Sequence, residues 1–142
     1  MNERQKGVAL VEFALILPFL LLLSIITTEF GRAMYQYNTL TKSVRDAARY
    51  LSLQTPGTKI TEARNLIVYG SLSNTGKPLA IGLKTTQVPD PIWETAGTNP
   101  VINTVTVRIQ GYTFNSLFPS VFGIPFGAIR FSDVTATMRS YL

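Results

Sequence analysis

The sequence predicts an α+β fold: one long N-terminal helix, transmembrane at first and amphipathic after, packed on a small antiparallel sheet. Three observations predict it. A nearly uncharged apolar run occupies residues 8–26. Apolar residues then recur at helical spacing at Phe30, Ala33, Tyr37, Leu40, Val44, Ala47 and Leu51. Near the C-terminus, residues 101–109 and 133–141 each alternate apolar and polar side chains, the period of a half-buried strand.

The apolar run comes first. A helix needs about 17–25 predominantly apolar residues to cross a hydrocarbon core. Residues 8–26 meet that length and carry a single charge, Glu12. The flank before the run holds Arg4 and Lys6 against Glu3. Basic residues favour the cytoplasmic side, so the sequence predicts a cytoplasmic N-terminus, a single pass through residues 8–27 and an exported domain from 28 to 142. Two other readings compete. A cleaved secretory signal has an apolar region of about 7–15 residues and a small-residue cleavage site. The segment Ser24-Ile25-Ile26-Thr27-Thr28 offers a poor one. A buried core helix would need a domain able to cover residues that are apolar all round, and a domain this small has little interior to offer.

The amphipathic half follows. Its apolar steps alternate between three and four residues, which draws one stripe along a helix. Lys42, Arg45, Asp46 and Arg49 fall on the opposite face. No proline interrupts residues 19–55, so the helix is expected to run from Val8 to about Leu53, through Pro18, which removes one backbone hydrogen bond. Thr55-Pro56-Gly57 stops it. A shorter helix is expected from Thr61 to about Tyr69, with Gly70 as its C-cap. Residues 79–88 suit a strand, and residues 89–100, with the only tryptophan, Trp93, suit a loop. In the two later strands, Val105, Val107 and Ile109 share one face, as do Val134, Ala136 and Met138; the two strands are expected to pair antiparallel.

Between them, residues 114–131 hold Phe114, Phe118, Phe122, Phe126 and Phe131, five of the eight phenylalanines. Pro119, Gly123, Pro125 and Gly127 forbid one continuous element. Large apolar residues usually fill a core. The end residues Phe114 and Phe131 continue the flanking strands and are assigned there. Of Phe118, Phe122 and Phe126, at least one is expected to be exposed as a docking contact.

The chain has no cysteine and no histidine. That removes disulfides, thiolate nucleophiles, zinc sites of the usual kind and His-based acid–base catalysis. No phosphate-binding glycine loop or nucleophile elbow occurs, and the acids are dispersed, so no catalytic residue, metal site or cofactor is expected. The net charge of +5 comes from 13 basic and 8 acidic residues. These are scattered, without a basic run, so no nucleic-acid partner is expected.

One string remains. Lys6-Gly7-Val8-Ala9-Leu10-Val11-Glu12-Phe13 sets a basic leader ending in Gly before an apolar helix, with a Glu five residues after the Gly. It resembles the type III signal peptide of type IV pilins and pseudopilins. The longer order, residues 7–18, then Glu29-Phe30-Gly31-Arg32-Ala33, then Arg45-Asp46-Ala47-Ala48-Arg49-Tyr50, is similar to the TadE-like family, the minor pilins of tight-adherence (Tad/Flp) pilus systems. The resemblance implies a pilin-like fold and a leader of residues 1–7. It implies cleavage by a prepilin peptidase between Gly7 and Val8, and charge pairing by Glu12 with a neighbour's new α-amine during assembly. It also implies residence in the inner membrane among other pilin subunits and assembly proteins, and a place in a surface-adhesion pilus. The alternative is an uncleaved, membrane-anchored accessory protein of the same apparatus.

Overall fold

The structure, a computed structural model, describes residues 3–125 and 127–141, with residues 3–6 and 124 described by backbone alone. Helix α1 spans Glu3–Ser52 as one element of 50 residues that runs through Pro18. At 1.5 Å per residue it is about 75 Å long. Helix α2 spans Ile60–Tyr69. A 3₁₀ turn at Thr85–Gln87 follows, then strands β1 (Ile92–Ala96), β2 (Ile102–Ile109), β3 (Thr113–Phe114), β4 (Ser120–Val121), β5 (Ile124–Pro125), β6 (Ile129–Arg130) and β7 (Val134–Arg139). This is the expected α+β arrangement of a long helix on a small antiparallel sheet.

The two halves of α1 live in different surroundings. Its amphipathic half packs against β2, β7 and α2. Leu40, Val44, Ala47 and Leu51 are fully buried, whereas Lys42, Arg45, Asp46 and Arg49 are exposed. The stripe is wider than expected, since Ala48, Ser43 and Ser52 are buried as well. It also begins later. Phe30 is 66% exposed, and the buried residue beside it is Glu29. The helical period alone could not show this, because a different partner covers the helix at that level.

The sheet has the order β1-β2-β7, all antiparallel. The expected antiparallel pairing of the two C-terminal strands holds, with Val107 opposite Ala136 and Ile109 opposite Val134. Their apolar side chains meet the stripe of α1. On the other flank of α1, α2 contributes Ala63, Ile67 and Val68. Gly70 closes α2 as expected. Its φ of 72° is left-handed, and its N–H bonds the Leu66 carbonyl at 3.0 Å.

Two expectations in the middle of the chain fail. Residues 79–88 are not a strand. Gly82 turns left-handed at φ 82°, the Leu83 N–H bonds the Ala80 carbonyl, and the segment ends in the 3₁₀ turn. Ala80, Leu83 and Val88 still reach the core, from turns. Conversely, the expected loop around Trp93 contains β1. Ile92–Ala96 pairs with β2, with Trp93 opposite Val105. This edge strand is exposed at four of its five positions, so it shows no alternation to read. Only its neighbour makes it a strand. Arg64 ties the same region to α2, donating from Nη2 to Asp90 at 2.6 Å and from Nε to the Val88 carbonyl at 3.0 Å. Asp90 stays 76% exposed in this pair.

Candidate functional site

Among the described residues, nothing covers the first turns of α1. Every residue from 7 to 21 is exposed, including Leu10, Phe13, Leu15 and Phe19. The helix is long and apolar enough to cross a membrane, and none of its most apolar window is covered by the rest of the chain. An all-round apolar helix left uncovered is stable in lipid and a liability in water. Hydroxyls at the end of this stretch are satisfied within the helix. Thr27 donates to the Leu23 carbonyl at 2.8 Å and Thr28 to that of Ser24 at 2.9 Å, so neither needs water.

Gly7 and Val8 lie inside α1, and a Cβ added at Gly7 would meet nothing within 4 Å. Nothing within the chain demands a glycine there. Glycine costs a helix interior about 1 kcal/mol relative to alanine, which eases local unwinding at that bond. Glu12 is exposed among apolar neighbours on the same bare helix. Val8 and Glu12 stand four residues apart and so share a face.

Where the apolar stretch ends, residues 113–125 and 127–130 form an arm that lies along α1. Its outer rung pairs β3 with β6, and its tip is the β4–β5 hairpin. Descending the helix, Phe131 meets the Tyr37 ring edge-on at 5.5 Å, the Arg32 guanidinium lies 5.4 Å over the Phe114 ring, and the Leu117 N–H donates to Glu29 Oε2 at 3.1 Å. Lower still, Ile26 and Phe30 share a small, largely apolar cavity of about 150 Å³ with Gly127 and Ile129. The Tyr112 hydroxyl pins the arm's root, 2.7 Å from Gln36 Oε1 and 2.9 Å from the Ile81 carbonyl.

Glu29 is the polar centre of this junction. It is 5% exposed. Besides Leu117, Arg32 Nη1 donates to its Oε1 at 2.6 Å. Burial pushes its carboxyl up. Hydrogen bonds from Ser116, Arg32 and Leu117, with the charge of Arg32, pull it down and prevail, so Glu29 sits below the ordinary glutamate range. The Ser116 hydroxyl has one proton and two acceptors, Glu29 and the Phe118 carbonyl at 3.0 Å. Two other acids of the dispersed set also have partners. Glu62 pairs with Lys59 at 2.8 Å, and Asp133 accepts from Gln110 Nε2 at 3.3 Å. The signal missed for Glu29 was its place, three residues past the apolar run and three before Arg32.

The rings divide as follows. Phe114 is buried, and Phe131 packs half-buried on the core. Phe118 is 41% exposed and Phe122 66% exposed; Phe126 lies outside the described residues. The structure groups Phe118 and Phe122 on the arm, away from Gly7, Val8 and Glu12. No group of three or more Asp, Glu, Cys or His that could hold a metal occurs among the described residues.

A family profile described as TadE-like protein matches residues 7–49. It starts at Gly7 and ends within the last turn of α1, so the matched segment is the helix itself. The match agrees with the resemblance read from the sequence over this segment. Comparison with curated proteins and with solved structures gives no match.

Proposed function

We propose that this chain is a TadE-like minor pilin or pseudopilin, anchored in the inner membrane by residues 8–27, that takes part in assembling or priming a Tad-type pilus. One observation carries the reading. A single unbroken helix is bare and apolar over its first half and forms the domain's core over its second, and the TadE-like match covers that helix. A rigid rod shared by membrane and domain transmits a push or pull on one to the other. It also offers neighbouring subunits a long apolar face to pack against.

In this reading residues 1–7 are a cytoplasmic leader, a prepilin peptidase cuts between Gly7 and Val8, and residues 28–142 form the exported domain. The new amine of Val8 carries positive charge at the start of the helix. Glu12 in the bilayer then gains a cation from an adjacent subunit, which offsets the cost of its burial. Prepilin peptidase, other pilin subunits and inner-membrane assembly proteins are the partners, and adhesion is the outcome. The rival reading keeps the leader uncut and the protein a permanent anchor beside the apparatus.

Mass spectrometry of the protein extracted from membranes separates them. An N-terminus at Val8 supports the pilin reading. One at Met1 supports the uncut anchor. One just after Thr28 makes the protein secreted and overturns both.

A further inference from the structure

We infer that the arm formed by residues 113–125 and 127–130 is a foot that enters the interfacial layer of the bilayer, with Phe118 and Phe122 in the lipid. This rests on the anchor reading of residues 8–27 and adds a second membrane contact to it.

Position along the helix is the first ground. The contacts on α1 run down from Tyr37, met by Phe131 just beyond the arm's root, through Arg32 and Glu29 to Ile26. Eleven residues of helix are about 16 Å, and the descent ends on the last residue of the apolar run. The cavity between Ile26, Phe30 and Ile129 makes the apolar surface of the helix continuous with that of the arm. Once the span is in lipid, the lower part of the arm lies at the bilayer surface.

Composition is the second ground. Residues 113–129 contain no charged side chain. Leu117, Phe118, Phe122 and Ile129 are 63, 41, 66 and 48% exposed, which is costly in water and favourable against acyl chains.

The tip supplies a third. Phe122 and Gly123 form the two-residue turn between β4 and β5, with φ of 51° and 80°. That turn favours Asn, Asp or Gly, because both central residues need positive φ. A phenylalanine there is unfavourable for the backbone, and its ring is exposed, so local structure gives no reason for it.

The chain has no cysteine, so single nitroxide labels can be placed cleanly. The full-length protein is reconstituted in vesicles of phosphatidylcholine and phosphatidylglycerol and labelled at Leu20→Cys, Ser120→Cys or Thr55→Cys. Collision with oxygen, which partitions into lipid, is compared with collision with a water-soluble nickel complex. The label at 20 is expected to favour oxygen and that at 55 nickel. The label at 120 is expected to favour oxygen, and to shift toward nickel when Phe118→Asn and Phe122→Asn are added. Asparagine suits the turn better than phenylalanine, so loss of the signal would not reflect unfolding of the hairpin. A label at 120 that favours nickel while the label at 20 favours oxygen overturns the foot and leaves the anchor standing. A label at 20 that favours nickel overturns the anchor itself. A label at 120 reached by neither collider means the arm docks on protein, which also overturns the proposal, as does an oxygen signal unchanged by the two asparagines.

Discussion

Glu29 accepts the backbone N–H of Leu117 at 3.1 Å, joining positions 88 residues apart in the chain. The carboxylate is buried, and its second oxygen is held by Arg32 at 2.6 Å. A helix emerging from the apolar stretch thereby clasps the arm at its first opportunity. Removing one partner of a buried hydrogen bond costs about 1–3 kcal/mol, because the other is left unsatisfied.

Glu29→Ala is therefore expected to free the arm's lower half without unfolding the domain. Hydrogen exchange is the measurement. The Leu117 amide should lose protection, while amides of β2 and β7 keep theirs. Glu62→Ala, on the exposed Lys59 pair, should leave Leu117 unchanged. Equal protection of Leu117 in wild type and Glu29→Ala would show that the clasp contributes nothing.

The same clasp has a pH dependence of defined sign. The Glu29 carboxyl lies below its ordinary range when folded. Its contribution is then fully present above the ordinary glutamate pKa and is lost as pH falls through the lowered folded value. The protection factor at Leu117, corrected for the intrinsic rate, should be flat from neutrality down to the carboxylate range and fall below it. A fall that begins near neutral pH would assign the effect to another group.

At the start of α1, Gly7→Leu is expected to block maturation and leave the exported domain folded, since a side chain at this position meets nothing in the protein. The intact mass and the melting temperature, read together, test this. Normal processing of the variant counts against the pilin reading.

Glu12→Ala is expected to insert and be cut normally but to assemble poorly. Insertion itself should improve, because an acid at the centre of a membrane helix costs about 2.5–3.5 kcal/mol and somewhat less near an end. Pilus assays beside a membrane-insertion assay check both halves. Unchanged piliation would reduce Glu12 to a residue that reaches the headgroups.

In the exported half, Leu51 is fully buried and Arg49 is exposed on the same helical turn. Leu51→Ala should cost about 2–5 kcal/mol and Arg49→Ala a few tenths. Thermal unfolding of the detergent-extracted chain should show a clear drop in melting temperature for the first only. Equal drops would mean that the stripe does not carry the domain's stability.

Much of this protein is determined within single segments of its sequence. The apolar run, the stripe ending at Leu51, the stop before Gly57, the cap at Gly70 and the two alternating strands each follow from period or turn chemistry, which act over a few residues. The string from Gly7 to Glu12 is equally local, and so is its resemblance to a processing signal. Tertiary structure decided what lies across the chain. Residues 92–96 became a strand because β2 offered an edge, and residues 79–88 lost theirs because Gly82 turns left-handed while their apolar side chains still reached the core. Phe30 faced outward, and Glu29 inward, because the arm covers the helix there. No period in residues 26–33 could reveal that, since the partner that makes Glu29 a buried group is a backbone N–H 88 residues away. A hydrogen bond of that kind exists only once the chain has folded back on itself.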